Sequence, residues 1–264
     1  MRRALHLLRL QLRTAFLVAA QYRWEFLLEG VLSLLWAATA LAPLFVVYGG
    51  SSAHGIPGWT FEESLVVTSW FILLQGVLEG AINPCLEAIV DHIRKGTLDF
   101  VLLKPADAQF LVSTARFELW RVTNVAAALV VMGVAFHRLG RWPSPAGVVE
   151  ALLLFVVAWV ILYSLWILIV SLAFRVVKID NLSYLFTSIF DAARWPSTVY
   201  RGVVAVLFTF VIPLALMTTT PAEALLGRVQ LASVGFGVLG AGVFSYFARQ
   251  VWLRSLRRYT SASS

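Results

Sequence analysis

The chain has 264 residues, of which 60% are hydrophobic and only 13% charged, with a net charge of +7 and a mean hydropathy of +0.83. That balance excludes an ordinary water-soluble domain and points to an all-α integral membrane protein, because apolar runs such as Ala151 to Val170 match the ~20 residues that a ~30 Å hydrocarbon core requires. A single cysteine, Cys85, excludes an internal disulfide, and His6, His54, His92 and His137 lack paired-ligand spacing, so neither redox nor metal chemistry is indicated.

The first segment, 1–25, reads MRRALHLLRLQLRTAFLVAAQYRWE, with Leu5, Leu8, Leu12 and Phe16 at helical spacing and arginines between them. It predicts an amphipathic helix lying on the anionic inner leaflet, the alternative being a solvated basic lead-in; no small-residue cleavage site follows. Apolar segments then fall at Leu27 to Tyr48, Leu65 to Ala81, Val122 to Phe136, Val148 to Ala173, a composite stretch from Ile179 to Met217, and Leu231 to Phe247. Six transmembrane helices result. With the N-terminus inside, all of the 21 basic residues except Arg138, Arg141 and Arg228 fall on the inner side, so the positive-inside rule predicts both termini, including the short tail 249–264, in the cytoplasm. Topology thereby accounts for the positive charge, and no nucleic-acid partner is expected.

The fifth crossing has two readings. Either Ile179 to Ala193 is interfacial and Val203 to Met217 crosses, or the first crosses and the stretch after Trp195-Pro196 dips in from the outer face, with Pro213 and Pro221 suiting a re-entrant turn. The whole chain, 1–264, reads as one membrane domain, with no repeat, no Gly-rich phosphate loop ending in Lys-Ser/Thr and no polar stretch long enough for a nucleotide-binding domain.

Between the second and third spans, 84–110 forms the longest inward excursion. Leu98 to Leu103 is far too short to cross and is interrupted by Asp99, so it predicts a short helix along the membrane surface between Gly96 and Pro105, with Thr97 as N-cap and Leu98, Phe100, Val101, Leu102 and Leu103 bared. Those side chains either pack back under the membrane domain or await a partner. On the second span Gln75, Glu79, Asn83 and Glu87 are spaced four apart, which stacks them on one helical face. A carboxylate at membrane depth must face protein or water, so this polar stripe either lines a pathway or braces helix packing, with Arg116 or Arg121 as the partner of Glu79. Glu62 and Glu63 suit the N-terminus of that helix. Trp59, Trp70, Trp142 and Trp195, with Trp120 and Trp252 on the inner side, read as an aromatic belt.

The segment IRKGTLDFVLLKPADAQFLVSTARF, Ile93 to Phe117, and the run FVIPLALMTTTPAEALLG, Phe210 to Gly227, resemble those of a bacterial six-span branch of permeases in type-two ATP-binding-cassette (ABC) exporters. The resemblance implies a permease subunit in the bacterial inner membrane, forming a dimeric pathway with a second copy or a related permease among membrane lipids. It also implies a cytosolic ABC ATPase dimer that binds the ATP and magnesium, while this chain binds no cofactor and is not itself an enzyme. Carried over, the excursion is the coupling helix, and Asp91, Arg94, Lys95, Leu98, Asp99, Phe100, Leu102 and Lys104 meet the ATPase. Arg13, Arg23 and Glu25 supply a second contact from the N-terminal interface helix. A membrane-embedded enzyme, for which only Glu79 and Asp191 lie deep enough to act, or a non-transporting scaffold are the alternatives, and no cargo is indicated.

Overall fold

A computed structural model describes residues 2–49, 55–174 and 187–259, the side chains of 2–4 and 173 excepted. His54, Arg175, Lys178 and the first part of the composite stretch, 179–186, lie outside the described residues, as do the side chains of Arg2 and Arg3. The described residues are helical, in agreement with an all-α integral membrane protein, and five helices are long and apolar enough to cross a bilayer.

An amphipathic helix α1 (Arg2–Gln21) runs almost directly into α2 (Arg23–Gly49), since the Tyr22 N–H still donates to the Val18 carbonyl at 3.0 Å. α1 sets Leu8, Gln11, Ala15 and Ala19 toward protein and leaves Leu5, Leu12 and Phe16 exposed, so the stripe foreseen from spacing divides between two faces. α2 buries a narrow line of small residues, Gly30, Ser33, Ala37 and Ala40, against the rest of the bundle. Central to the fold is α3 (Phe61–Arg94), in whose first part 63–72 is buried on every side.

Beside it runs α6 (Val122–Leu139), and the approach is set by glycines: a Cβ on Gly76 would stand 3.1 Å from Asn124 Cβ, and one on Gly80 3.1 Å from Arg121 Cβ. Two small residues four apart let helix backbones close where lipid offers no hydrophobic drive. The remaining long helices, α7 (Pro145–Ala173) and α10 (Leu231–Arg257), pair along their length and meet at Gly237, which faces Leu154 and Val157.

Three π-helical turns occur among the described residues, Leu78–Ile82, Leu207–Val211 and Ala215–Thr219, and each ends two residues before a proline, Pro84, Pro213 and Pro221. The physical reason is shared. Proline has no N–H for the carbonyl four residues back and its ring crowds that carbonyl, so a widened turn relieves the clash. At Pro84 the carbonyl concerned is that of Gly80, which accepts instead from the Glu118 N–H at 2.8 Å, tying α3 to the chain entering α6.

The composite fifth region contains α8 (Gly202–Val211) and α9 (Ala215–Leu225), bent by 65° at the break. Thr218 Oγ1 donates to the Ala193 carbonyl at 2.7 Å, and the Ser197 N–H donates to Thr219 Oγ1 at 3.0 Å. The excursion 198–217 therefore starts and ends at one depth, and does not by itself cross. The rise toward the Glu63 end of α3 occurs earlier, where Phe190 packs on Phe71 at 5.3 Å and the Arg194 carbonyl accepts from Thr68 at 3.1 Å. Of the two readings of this stretch, these contacts favour the re-entrant one.

At that end Thr60 and Glu63 form a reciprocal capping box, as the acidic first turn suggested, but Glu63 does more. It is buried, and its two oxygens meet Arg141 at 3.5 Å and Arg228 at 3.3 Å, while Arg228 also lies over the Trp59 ring at 4.4 Å. Three loops are pinned by one carboxylate. Three tryptophans assigned to the belt are instead core residues, Trp59 under Arg228 and two on the long helices. Trp70 is buried against Phe155, and Trp252 is fully buried against Phe174, because both lie on helix faces turned to neighbouring helices rather than to lipid.

Candidate functional site

At the arginine-rich end of the bundle the chain makes an elbow between α3 and α6. α3 stops at Gly96, whose φ of +65° only glycine adopts without strain; the Gly96 N–H returns to the Ile93 carbonyl at 3.3 Å and the Thr97 N–H to the His92 carbonyl at 2.9 Å. The Thr97 hydroxyl is engaged by His92 Nδ1 at 2.8 Å, so it does not cap the next helix as foreseen. That helix, α4 (Asp99–Leu102), has Leu98 at its cap position without a side-chain bond.

Leu98 corrects the sequence reading most sharply. It is 0% exposed and forms part of the core, whereas Phe100 is 70%, Leu103 80% and Leu102 38% exposed. A single turn has one inner side; burying Leu98 there contributes about 1.5–3 kcal/mol and turns its neighbours out. Val101 is half-buried against the core, Asp99 is half-buried, and Arg94 and Lys104 are exposed beside the apolar pair. Asp91 and Lys95 form an exposed bridge at 3.5 Å, of the kind that contributes little. The elbow thus presents a small apolar tip ringed by charge on a buried anchor.

Beyond the tip Asp107 caps α5 (Ala108–Ser113), accepting from the Phe110 N–H at 3.0 Å. Arg249 of α10 then grips the same carboxylate, Nη1 to Oδ1 at 3.2 Å and Nη2 to Oδ2 at 2.6 Å, and donates to Gln109 Oε1 at 2.7 Å. These bonds to Arg249 hold the Asp107 carboxyl below its ordinary range. Gln109 Nε2 donates to the Tyr163 hydroxyl of α7 at 2.9 Å, and Ser113 Oγ is 2.7 Å from that hydroxyl. The end of α10 also reaches the elbow, where burial and the Asp99 charge push the Tyr259 hydroxyl up. None of this network was foreseen, and only the cap at Asp107, an aspartate just ahead of an apolar turn, had a local signal.

Deeper in the bundle Glu79 Oε2 meets Arg121 Nη1 at 2.6 Å, Gln75 Nε2 donates to Glu79 Oε1 at 3.1 Å, and Arg121 Nη1 reaches Ser33 Oγ at 3.4 Å. Three helices, α2, α3 and the start of α6, join there. The predicted stripe is only half realised: Gln75 and Glu79 are together, but the π-turn at 78–82 inserts a residue and rotates the later turns of the helix, leaving Asn83 half-buried and Glu87 exposed. Glu118, just before α6, is pushed up by burial against the opposing pull of Arg116 and Arg121. Asp191 pairs with Arg194 at 3.4 Å, so both deep carboxylates considered for catalysis are committed to arginines. The proposed second contact is exposed throughout: Arg23 Nε donates to the Ala20 carbonyl at 3.3 Å, and Arg13 and Glu25 lie open beside it.

A bundle of apolar crossings with an elbow at its arginine-rich end and a polar brace between helices defines a multi-pass membrane domain. The family model described as ABC-2 family transporter protein matches residues 34–263, and the chain belongs to that family. It is accordingly an ABC transporter permease component, whose family carries no ATPase domain of its own and implies an ATP-binding partner. No curated protein and no solved structure matches the chain.

Proposed function

We propose that this chain is the permease subunit of an ABC exporter in the bacterial inner membrane, with the Arg94 end of α3 and both termini in the cytoplasm. Two permeases, identical or related, enclose the pathway, and a cytosolic ATPase dimer that binds ATP and magnesium drives it. The observation carrying this reading is the elbow: Phe100 and Leu103 are exposed on a turn whose Leu98 is fully buried. An apolar tip with a surrounding ring of charge has the anatomy of a partner-binding hot spot. Asp91, Arg94, Lys95, Asp99, Leu102 and Lys104 form its rim, while Leu98 acts from inside as the anchor. Movement imposed on the tip passes to α10 and α7 through Asp107, Arg249 and Tyr163.

The test is purification of the tagged permease from its native membranes in mild detergent. The proposal expects a nucleotide-binding subunit in the eluate and magnesium-dependent ATP hydrolysis there. Hydrolysis absent from an eluate that holds intact, monodisperse permease would contradict it.

A further inference from the structure

A cavity of about 600 Å³ lies between α1, α3, α5 and α7, apart from the elbow tip and the Glu79 brace. Its back wall is Ala81 and Cys85 of α3, its floor Phe110, and its open side Val156 and Trp159 of α7, which are 51% and 44% exposed. Leu8 of α1 also lines the cavity. The α7 residues lie at the middle of that helix and the α3 residues beyond its middle toward Arg94, so the cavity runs from the bilayer midplane to the arginine-rich face. The volume falls within the ~300–1,000 Å³ of small-molecule sites, and its apolar walls offer buried water too few partners to stay.

At that depth the outward faces of a spanning bundle meet lipid hydrocarbon, yet apolar walls alone do not prefer one lipid chain over another. Selection has to come from the polar end, where Gln109, Ser113 and Tyr163 face the cavity together. The Tyr163 hydroxyl already accepts from Gln109, and Ser113 and Tyr163 share one further hydrogen bond. Whichever of those two hydroxyls donates to the other, the second keeps its own hydrogen. One donor is therefore left over at the rim, where the chain of a membrane lipid would bring its ester carbonyl.

We propose that this cavity is a binding site for one acyl chain of a phospholipid from the leaflet on the Arg94 side, with its ester carbonyl accepting a hydrogen bond from the Ser113–Tyr163 hydroxyl pair. This inference is independent of the cargo and of the ATPase. Because Gln109 and Asp107 both bind Arg249, an occupied cavity also supports the network behind the elbow.

The test uses the full chain in vesicles of phosphatidylethanolamine and phosphatidylglycerol doped with a diacyl phospholipid that carries a diazirine in one chain. Crosslinked peptides are then mapped by mass spectrometry. Labelling of residues around Ala81–Cys85 and Val156–Val160 is expected to be saturable, to fall severalfold in Ala81→Trp or Val160→Phe, and to leave labelling of the outward face of α2 unchanged. A diether phospholipid with the same headgroup, lacking the carbonyl, is expected to compete severalfold less well than its diacyl counterpart. Non-saturable labelling equal to that of α2, which can be read on the unaltered protein, would overturn the site. Equal competition by the diether lipid would overturn the rim contact, and equal competition by a free fatty acid would overturn the phospholipid assignment.

Discussion

If the contact of Glu79 with Arg121 is a brace, removing either partner leaves a charge stranded among helices. At 2.6 Å and an effective dielectric of about 20, the attraction amounts to about 6 kcal/mol before desolvation of both groups is subtracted. Loss of one partner of such a pair typically costs about 3–5 kcal/mol, because the survivor stays uncompensated, whereas replacing both by apolar residues costs much less. Glu79→Leu and Arg121→Leu should therefore each lower the unfolding free energy by about 3–5 kcal/mol, and the double variant should be more stable than either. Unfolding by sodium dodecyl sulfate in mixed micelles, followed by tryptophan fluorescence, measures all four corners of the cycle. Additive losses in the double variant would refute the brace. So would a Glu79→Leu protein of unchanged stability that no longer supports transport, which would make Glu79 a pathway residue.

Truncating the anchor and the tip of the elbow should separate cleanly: Leu98→Ala should cost about 2–5 kcal/mol in the same assay, and Phe100→Ala within about 0.5 kcal/mol of nothing. Gly80→Val should cost about 1–3 kcal/mol through overpacking, since its new side chain enters at 3.1 Å from Arg121 Cβ. Asp107→Asn should lower stability at neutral pH by at most about 1 kcal/mol, the partners being only partly buried. With the folded carboxyl held below its unfolded value of about 3.9, that contribution is complete above the unfolded value and is lost as pH falls through the folded one. Stability curves of the two proteins should therefore converge as pH falls below the usual carboxylate range, and a gap that widened with acid would contradict the Arg249 grip.

The crossings were legible because each is a run of apolar residues long enough to be read without knowing its neighbours. The positions of α2, α3, α6, α7 and α10 all follow from such runs. What periodicity missed has local physical causes. Gln75 to Glu87 was drawn as one stripe on a regular helix, yet Pro84 forces a π-turn at 78–82 that breaks the register, and a proline following helical sequence was a usable signal. α4 has a single turn, too short for any period to show that Leu98 goes in while Phe100 and Leu103 point out. Trp252 lies near the end of its helix, as belt residues do, but which side of α10 faces α7 is a tertiary fact. Asp107 and Arg249 are separated by most of the chain, and nothing local to either names the other. In sequence Arg249 contributed only to the charge balance.

The exposed tip of the elbow is the centre of the functional account, and its removal tests that account most directly. In Phe100→Asp/Leu103→Asp, with Leu98 intact, the fold should be unchanged, since neither side chain is in the core. Loss of a hot-spot pair costs about 2 kcal/mol or more, a ~30-fold weakening or greater. Recovery of the nucleotide-binding subunit with the tagged permease should therefore collapse while the permease itself elutes in native yield and with native thermal stability. Full recovery of that subunit with the double variant would contradict the assignment of the elbow as the docking element.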